Sequence, residues 1–79
     1  MNFTVYYFGL FAELRGLSQE SLSSSATTPA ALYAELNAAH SLGLAINDFR
    51  AAVNDEFVSW DHPLSANDTI ALLPPMSGG

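Results

Sequence analysis

The chain has 79 residues, of which 49% are hydrophobic and 13% are charged, and its formal net charge is −6 at pH 7. A chain of this length folds as one small domain, because a second hydrophobic core would not fit. With two arginines, no lysine and eight acidic residues, the composition excludes nucleic acid as a partner and disfavours an anionic membrane surface. A basic protein surface is the natural complement.

The composition also limits the chemistry that side chains could perform. The absence of cysteine excludes disulfides, zinc–thiolate sites and cysteine nucleophiles. His40 and His62 alone do not make a metal site, and Asp48, Asp55 and Glu56 are expected to be solvated turn acids rather than an acid–base pair. Neither a signal peptide nor a membrane span is recognisable, so we expect a cytoplasmic protein.

The first predicted element is a strand over residues 3–8, which are aromatic or β-branched. Alternation puts Phe8 on one face and its neighbour Tyr7 on the other. Leu10, Phe11 and Leu14 then follow at helical spacing and predict a short helix that Gly16 can close. Residues 18–25 are mostly polar and predict a short edge strand.

The clearest start signal is Thr28–Pro29, where a threonine can cap a helix that begins with proline. The helix is predicted to end near His40 or Ser41. Its apolar stripe is predicted to consist of Leu32, Tyr33, Leu36 and Ala39.

Two short apolar segments, residues 49–53 and 57–60, predict a hairpin around Asn54 and Asp55, which tolerate the positive φ angles of a tight turn. Residues 61–68 are predicted to form a loop, and residues 69–73 the last strand, which Pro74 and Pro75 end. This order of elements predicts an α+β fold, with a sheet that has its helices on one face.

The C-terminal segment, residues 75–79, is predicted to be an extended, flexible tail on the single domain formed by residues 1–79. The five residues after Pro74 can reach roughly 16 Å when extended, and they end in Gly78 and Gly79. Glycines without a Cβ can thread a narrow channel. The reactive group at the end of the tail is the α-carboxylate of Gly79. A partner must activate this group, usually as an acyl-adenylate.

Four stretches together form a specific pattern that covers nearly the whole chain. They are Tyr7-Phe8-Gly9 with Glu13-Leu14 and Gly16; Ala51-Ala52-Val53-Asn54; Val58-Ser59 with Asp61-His62-Pro63-Leu64 and Asp68; and Pro74-Pro75 with Gly78-Gly79. This pattern resembles the small subunit of molybdopterin synthase, a ubiquitin-like sulfur carrier. The resemblance implies the β-grasp fold, a mixed sheet packed on one main helix.

The resemblance also implies a mechanism and partners. An adenylating and sulfurtransferase system of the ubiquitin-activating type would use ATP to convert Gly79 to an acyl-adenylate and then to a thiocarboxylate, with Gly78 allowing the tail to thread. The tail would then donate sulfur to a cyclic pterin precursor within the large subunit. This chain itself would bind no cofactor and no metal, and the active site would lie on the large subunit.

The outer face of the sheet is the predicted interface with the large subunit. If Val5, Tyr7, Val58, Trp60, Ile70 and Leu72 face the helix, large apolar side chains are left on the opposite face, which is unusual for so small a protein. The predicted interface residues are Phe8, Phe57, Leu73, Pro74, Pro75 and Met76.

The chain departs from the family pattern at one position, and two alternative functions remain. Family members often carry arginine where this chain has Ala12, with Arg15 nearby as a candidate substitute. A sulfur carrier of the thiazole pathway is the first alternative, although such chains are typically shorter and lack the helical turn after the first strand. The second is a ubiquitin-like protein modifier, which would need the same Gly79.

Overall fold

The computed structural model describes residues 1–75 of the chain. Two α-helices and five strands appear in it: β1 (Asn2–Tyr7), α1 (Leu10–Arg15), β2 (Gln19–Ser23), α2 (Pro29–His40), β3 (Arg50–Val53), β4 (Glu56–Val58) and β5 (Thr69–Leu73). A short 3₁₀ turn, Ile46–Asp48, precedes β3. The strands form one mixed sheet in the order β2-β1-β5-β3-β4, with β1 and β5 parallel and the other pairs antiparallel. The predicted α+β architecture is confirmed.

The core lies between one face of the sheet and α2. The central strands β1 and β5 contribute fully buried side chains such as Val5 and Ile70, and α2 covers them with Leu32, Tyr33 and Leu36. Burying each large aliphatic or aromatic side chain stabilises the fold by about 1.5–3 kcal/mol. The packing therefore follows the alternation predicted for the strands.

Helix α2 begins and ends with identifiable caps. The hydroxyl of Thr28 accepts a hydrogen bond from the amide of Ala31 at 3.1 Å, and Ser41 ends the helix in the left-handed conformation, with φ of 53°. The predicted start and end are therefore confirmed. The prediction for Ala39 was wrong, because this side chain is exposed. The turn at Ser41 brings Leu42 into the core instead, where it is buried.

Helix α1, Leu10–Arg15, confirms the short helix predicted from apolar spacing, although it buries little of that spacing. Of the three apolar residues predicted there, only Phe11 is buried, whereas Leu10 and Leu14 are 44% and 46% exposed. A helix of six residues makes fewer than two turns, at about 3.6 residues per turn, so few of its positions can face the core. Gly16 closes the helix with φ of 71°, as predicted.

The β3–β4 hairpin has the predicted turn. Asn54 and Asp55 have φ angles of 52° and 73°, as a two-residue hairpin turn of the right twist requires. The second strand is shorter than the predicted 57–60, because β4 stops at Val58. The weak strand predicted over residues 18–25 is β2, which lies at one edge of the sheet.

Candidate functional site

The sheet face that points away from α2 carries the predicted apolar residues. Phe8 and Phe57 are 46% and 61% exposed, and Leu73 is half-buried beside the fully buried Leu72. The register supports this assignment, because Ala52 lies opposite Phe57 and Arg50 opposite Leu73. The predicted division of the sheet into an inner and an outer face is thus what the structure shows.

These side chains line one groove of about 1110 Å³ at the end of the sheet where β5 stops. Five of the six predicted interface residues contribute to it: Phe8, Phe57, Leu73, Pro74 and Pro75. The structure therefore brings them together on a single concave, mainly apolar surface, and their role as an interface stays a prediction. The remaining predicted site residues, Met76, Gly78 and Gly79, lie outside the described residues.

Pro74, the residue just before the tail, lies against the turn between β1 and α1. Gly9 has φ of 52°, and a Cβ built on it would lie 3.0 Å from Cγ of Pro74. Both the backbone angle and the close approach favour glycine at this position. A proline ring fixes φ, so the path of the backbone is restricted at Pro74 and Pro75, where the chain leaves this contact. The chain therefore enters its last segment from the rim of the groove.

Sequence reasoning missed Arg50 as a member of this surface. Its guanidinium lies over the ring of Phe57, 4.5 Å from the ring centroid, and both side chains line the groove. A signal was available, because side chains two apart on a strand share a face. Arg50 therefore lies on the same face as Ala52, which pairs with Phe57. Leu10, at the start of α1, was also missed and adds to the apolar wall.

A second polar feature joins α1 to the sheet. Glu20 accepts hydrogen bonds from the hydroxyl of Tyr7 and from Arg15, the latter at 2.7 Å. The guanidinium carbon of Arg15 also lies 5.4 Å from the centroid of the Tyr7 ring. Arg15 is thus bound within the fold, which argues against its replacing, in a partner contact, the arginine that the family often has at Ala12.

This cluster perturbs the acid–base behaviour of its members. Burial and then the hydrogen bond to Glu20 raise the pKa of Tyr7 to about 12. Burial alone would raise the pKa of Glu20, but the hydrogen bonds from Arg15 and Tyr7 outweigh it and hold that pKa below its usual range. The same hydrogen bonds and ion pair link α1 to the strands β1 and β2.

The two histidines lie where the sequence placed them. His40 is in the last turn of α2, where a cation complements the helix dipole, and His62 is in the turn after β4. Within residues 1–75, no three His, Asp or Glu side chains come close enough together to hold a metal ion. The helices in the same range are too short or too polar to cross a membrane.

Comparison with known proteins gives the family. Residues 5–79 match the ThiS family. The chain belongs to this family. It is 36% identical over 78 residues to the molybdopterin synthase sulfur carrier subunit of Escherichia coli (strain K12), and the match covers 95% of this chain and 96% of that protein. The resemblance stated from the sequence motifs is confirmed by this relative.

Solved structures agree with the ThiS-family assignment. A chain in the complex of subunits 1 and 2 of the molybdopterin-converting factor from Helicobacter pylori 26695 matches with a TM-score of 0.69 and 28% identity, and the match covers 100% of both chains. SAMP1 from Haloferax volcanii matches with a TM-score of 0.82 and 22% identity, also covering 100% of both chains. At that lower identity, the second match shows the shared β-grasp fold alone, and the predicted ubiquitin-like fold is confirmed.

Proposed function

We propose that this ThiS-family chain is the sulfur carrier subunit of a molybdopterin synthase. The observation that carries the proposal is the 36% identity to the E. coli carrier over nearly the full length of both chains. The structure supports it, because β5 runs directly into Pro74 and Pro75 at the rim of an apolar groove. The segment 76–79 can span about 14 Å from there when extended. A docked surface could thus deliver the tail to a partner's active site.

The proposed chemistry takes place on the α-carboxylate of Gly79. The carboxylate attacks the α-phosphate of ATP on an adenylating partner, which forms an acyl-adenylate and releases pyrophosphate. The terminal sulfur of a persulfide on a sulfurtransferase then displaces AMP to give an acyl disulfide, and a thiol of that partner system cleaves the S–S bond, which forms a disulfide on the partner and leaves a thiocarboxylate on Gly79. ATP is bound by the partner, and no side chain of this chain takes part in bond making. The contribution of this chain is to carry and position the acyl-bound sulfur.

The groove is the proposed docking surface for the large subunit. Phe8, Phe57 and Leu73 would be its anchors, since exposed aromatic and aliphatic side chains of this kind dominate binding when a partner buries them. The H. pylori match supports such a partner, because that structure is a complex of subunits 1 and 2 of a molybdopterin-converting factor. The adenylating enzyme is the second proposed partner. The cytoplasmic location expected from the sequence stays a prediction.

A reconstituted reaction tests the proposal. The chain is prepared with a thiocarboxylate on Gly79 and mixed with the cognate large subunit and the cyclic pterin precursor, and formation of the dithiolene product is measured. We expect about two carrier thiocarboxylates to be consumed per product, because a dithiolene contains two sulfur atoms. The carboxylate form is the control and should give no product. Failure of the thiocarboxylate form here, with activity in thiazole formation, would favour the alternative carrier function.

Intact mass separates carrier from modifier. Protein isolated from its native cell should have a terminal mass increase of about 16 Da, the replacement of one oxygen by sulfur. Recovery of this chain mainly as a conjugate to lysines of other proteins would instead favour the modifier alternative.

A further inference from the structure

Arg50 lies within the apolar surface rather than at its edge. On one side it pairs across the sheet with Leu73, and on the other its guanidinium covers the ring of Phe57 at 4.5 Å. Arg50 is itself exposed. A cation thus stands between two of the three proposed anchors, on a chain whose formal net charge is −6.

Arg50 has no carboxylate partner in the described part of the fold. Within residues 1–75 the one salt bridge joins Arg15 to Glu20. Asp48 lines the same groove as Arg50, yet no salt bridge joins the two. The contact with Phe57 attracts the positive charge but accepts no N–H hydrogen bond in the plane of the guanidinium. In the free protein, water can satisfy these donors.

Docking of a partner changes the hydration of Arg50. A partner that covers Phe57 and Leu73 must also remove water from Arg50, since this residue lies between them. A desolvated guanidinium without an acceptor opposes binding strongly. A carboxylate is the best acceptor, because its two oxygens match the fork of N–H groups on the planar guanidinium. The contact with Phe57, in which the guanidinium carbon lies 4.5 Å from the ring centroid, restricts where this charge lies before a partner binds.

We infer that Arg50 binds a carboxylate of the large subunit, at the centre of the interface formed by the groove. The inference rests on the proposed function and adds the chemistry of the partner surface: an apolar patch with one acidic side chain inside it. A large subunit whose surface at this place is wholly apolar or basic would bind this chain more weakly. Arg50 is therefore a specificity-determining residue of the docking surface.

Calorimetric titration of the cognate large subunit with three variants tests this. Arg50→Gln keeps a polar side chain but loses the charge, and we expect its Kd to rise about 30-fold or more, as when one member of a buried ion pair is removed. Arg50→Lys should bind with intermediate affinity, because lysine keeps the charge and loses the fork. Glu13→Gln is the control: it removes one exposed charge from a residue that does not line the groove, and it should bind like wild type. Thermal unfolding of each free variant should be nearly unchanged.

Charge reversal identifies the acceptor. Arg50→Glu should abolish binding, and replacing the correct acidic residue of the large subunit by arginine should restore it. Wild-type affinity of Arg50→Gln would overturn the inference, as would an equal loss of affinity in Glu13→Gln or a failure of every interface acid of the large subunit to give rescue. If the wild-type chain fails to bind the large subunit at all, the proposed function fails, and this inference with it.

Discussion

Asn54 and Asp68 hold two turns of the fold together. The side-chain nitrogen Nδ2 of Asn54, in the β3–β4 turn, donates to the carboxylate of Asp68 at 3.0 Å, just before β5. The Asn54 side-chain oxygen accepts from the amide of Thr69 at 3.0 Å, and Asp68 accepts from the amide of Ser65 at 2.8 Å. One side chain thus fixes the start of β5 relative to the hairpin, and β5 leads to the tail.

Asn54→Ala should therefore destabilise the protein by about 1–3 kcal/mol, because two hydrogen bonds are lost and alanine disfavours the φ of 52°. Asn54→Gly separates the two causes, since glycine adopts this angle freely. We expect the glycine variant to be the more stable of the two and still less stable than wild type. Urea unfolding gives the three free energies, and equal values for glycine and wild type would contradict the role of the side chain.

Acid should weaken the fold partly through Glu20. The pKa of Glu20 is held below its usual range, so folding favours the ionised form. This stability is present above the unfolded-state pKa of about 4.3 and is lost as the pH falls through the lower folded-state pKa. Glu20→Gln should reduce the free energy of unfolding at pH 7. Between pH 7 and pH 3, the variant should lose less of its free energy of unfolding than the wild-type protein loses. Urea unfolding at both pH values measures this, and an identical pH dependence in the two proteins would contradict it.

Much of the fold is predictable because local signals and tertiary packing agree. The alternation in β1 and the cap at Thr28 needed no knowledge of neighbouring elements. Ala39 was wrongly assigned to the buried stripe of α2 because spacing along the helix does not show which positions of a stripe other elements cover; the structure leaves Ala39 exposed. Arg50 was missed for a related reason: its importance comes from Phe57 on the next strand, and a charged residue in a strand is by itself unremarkable.

Phe57→Ala should weaken binding to the large subunit by about 1–3 kcal/mol if this side chain is an anchor. The free domain should lose little stability, because Phe57 is 61% exposed. Phe11→Ala is the matched control, since that ring is fully buried and its truncation should cost about 3–5 kcal/mol of folding free energy. Calorimetry and thermal unfolding provide the two readouts. Unchanged affinity together with lost folding in Phe57→Ala would mean that the two faces have been assigned the wrong way round.

Deletion of Gly79 should abolish sulfur transfer, because the proposed reactive group is its α-carboxylate. Appending one residue after Gly79 should do the same, since the activated carboxylate would then lie beyond its proper position. Neither change should alter the melting temperature appreciably, because the core lies within the described residues. Product formation from the cyclic pterin precursor is the measurement. Full activity of the truncated chain would end the proposed mechanism.

The acidic surface should accelerate association with a basic large subunit. The formal net charge is −6, and Asp55, Glu56 and Asp61 are exposed around the β3–β4 hairpin and the loop after it. Screening acts over about 10 Å at 0.1 M salt, so added salt should slow the encounter more than it speeds dissociation. Stopped-flow mixing of the two subunits at low and high salt separates the two rates. The competing explanation is that these acids serve only to prevent self-association, and it predicts an association rate that does not change with ionic strength.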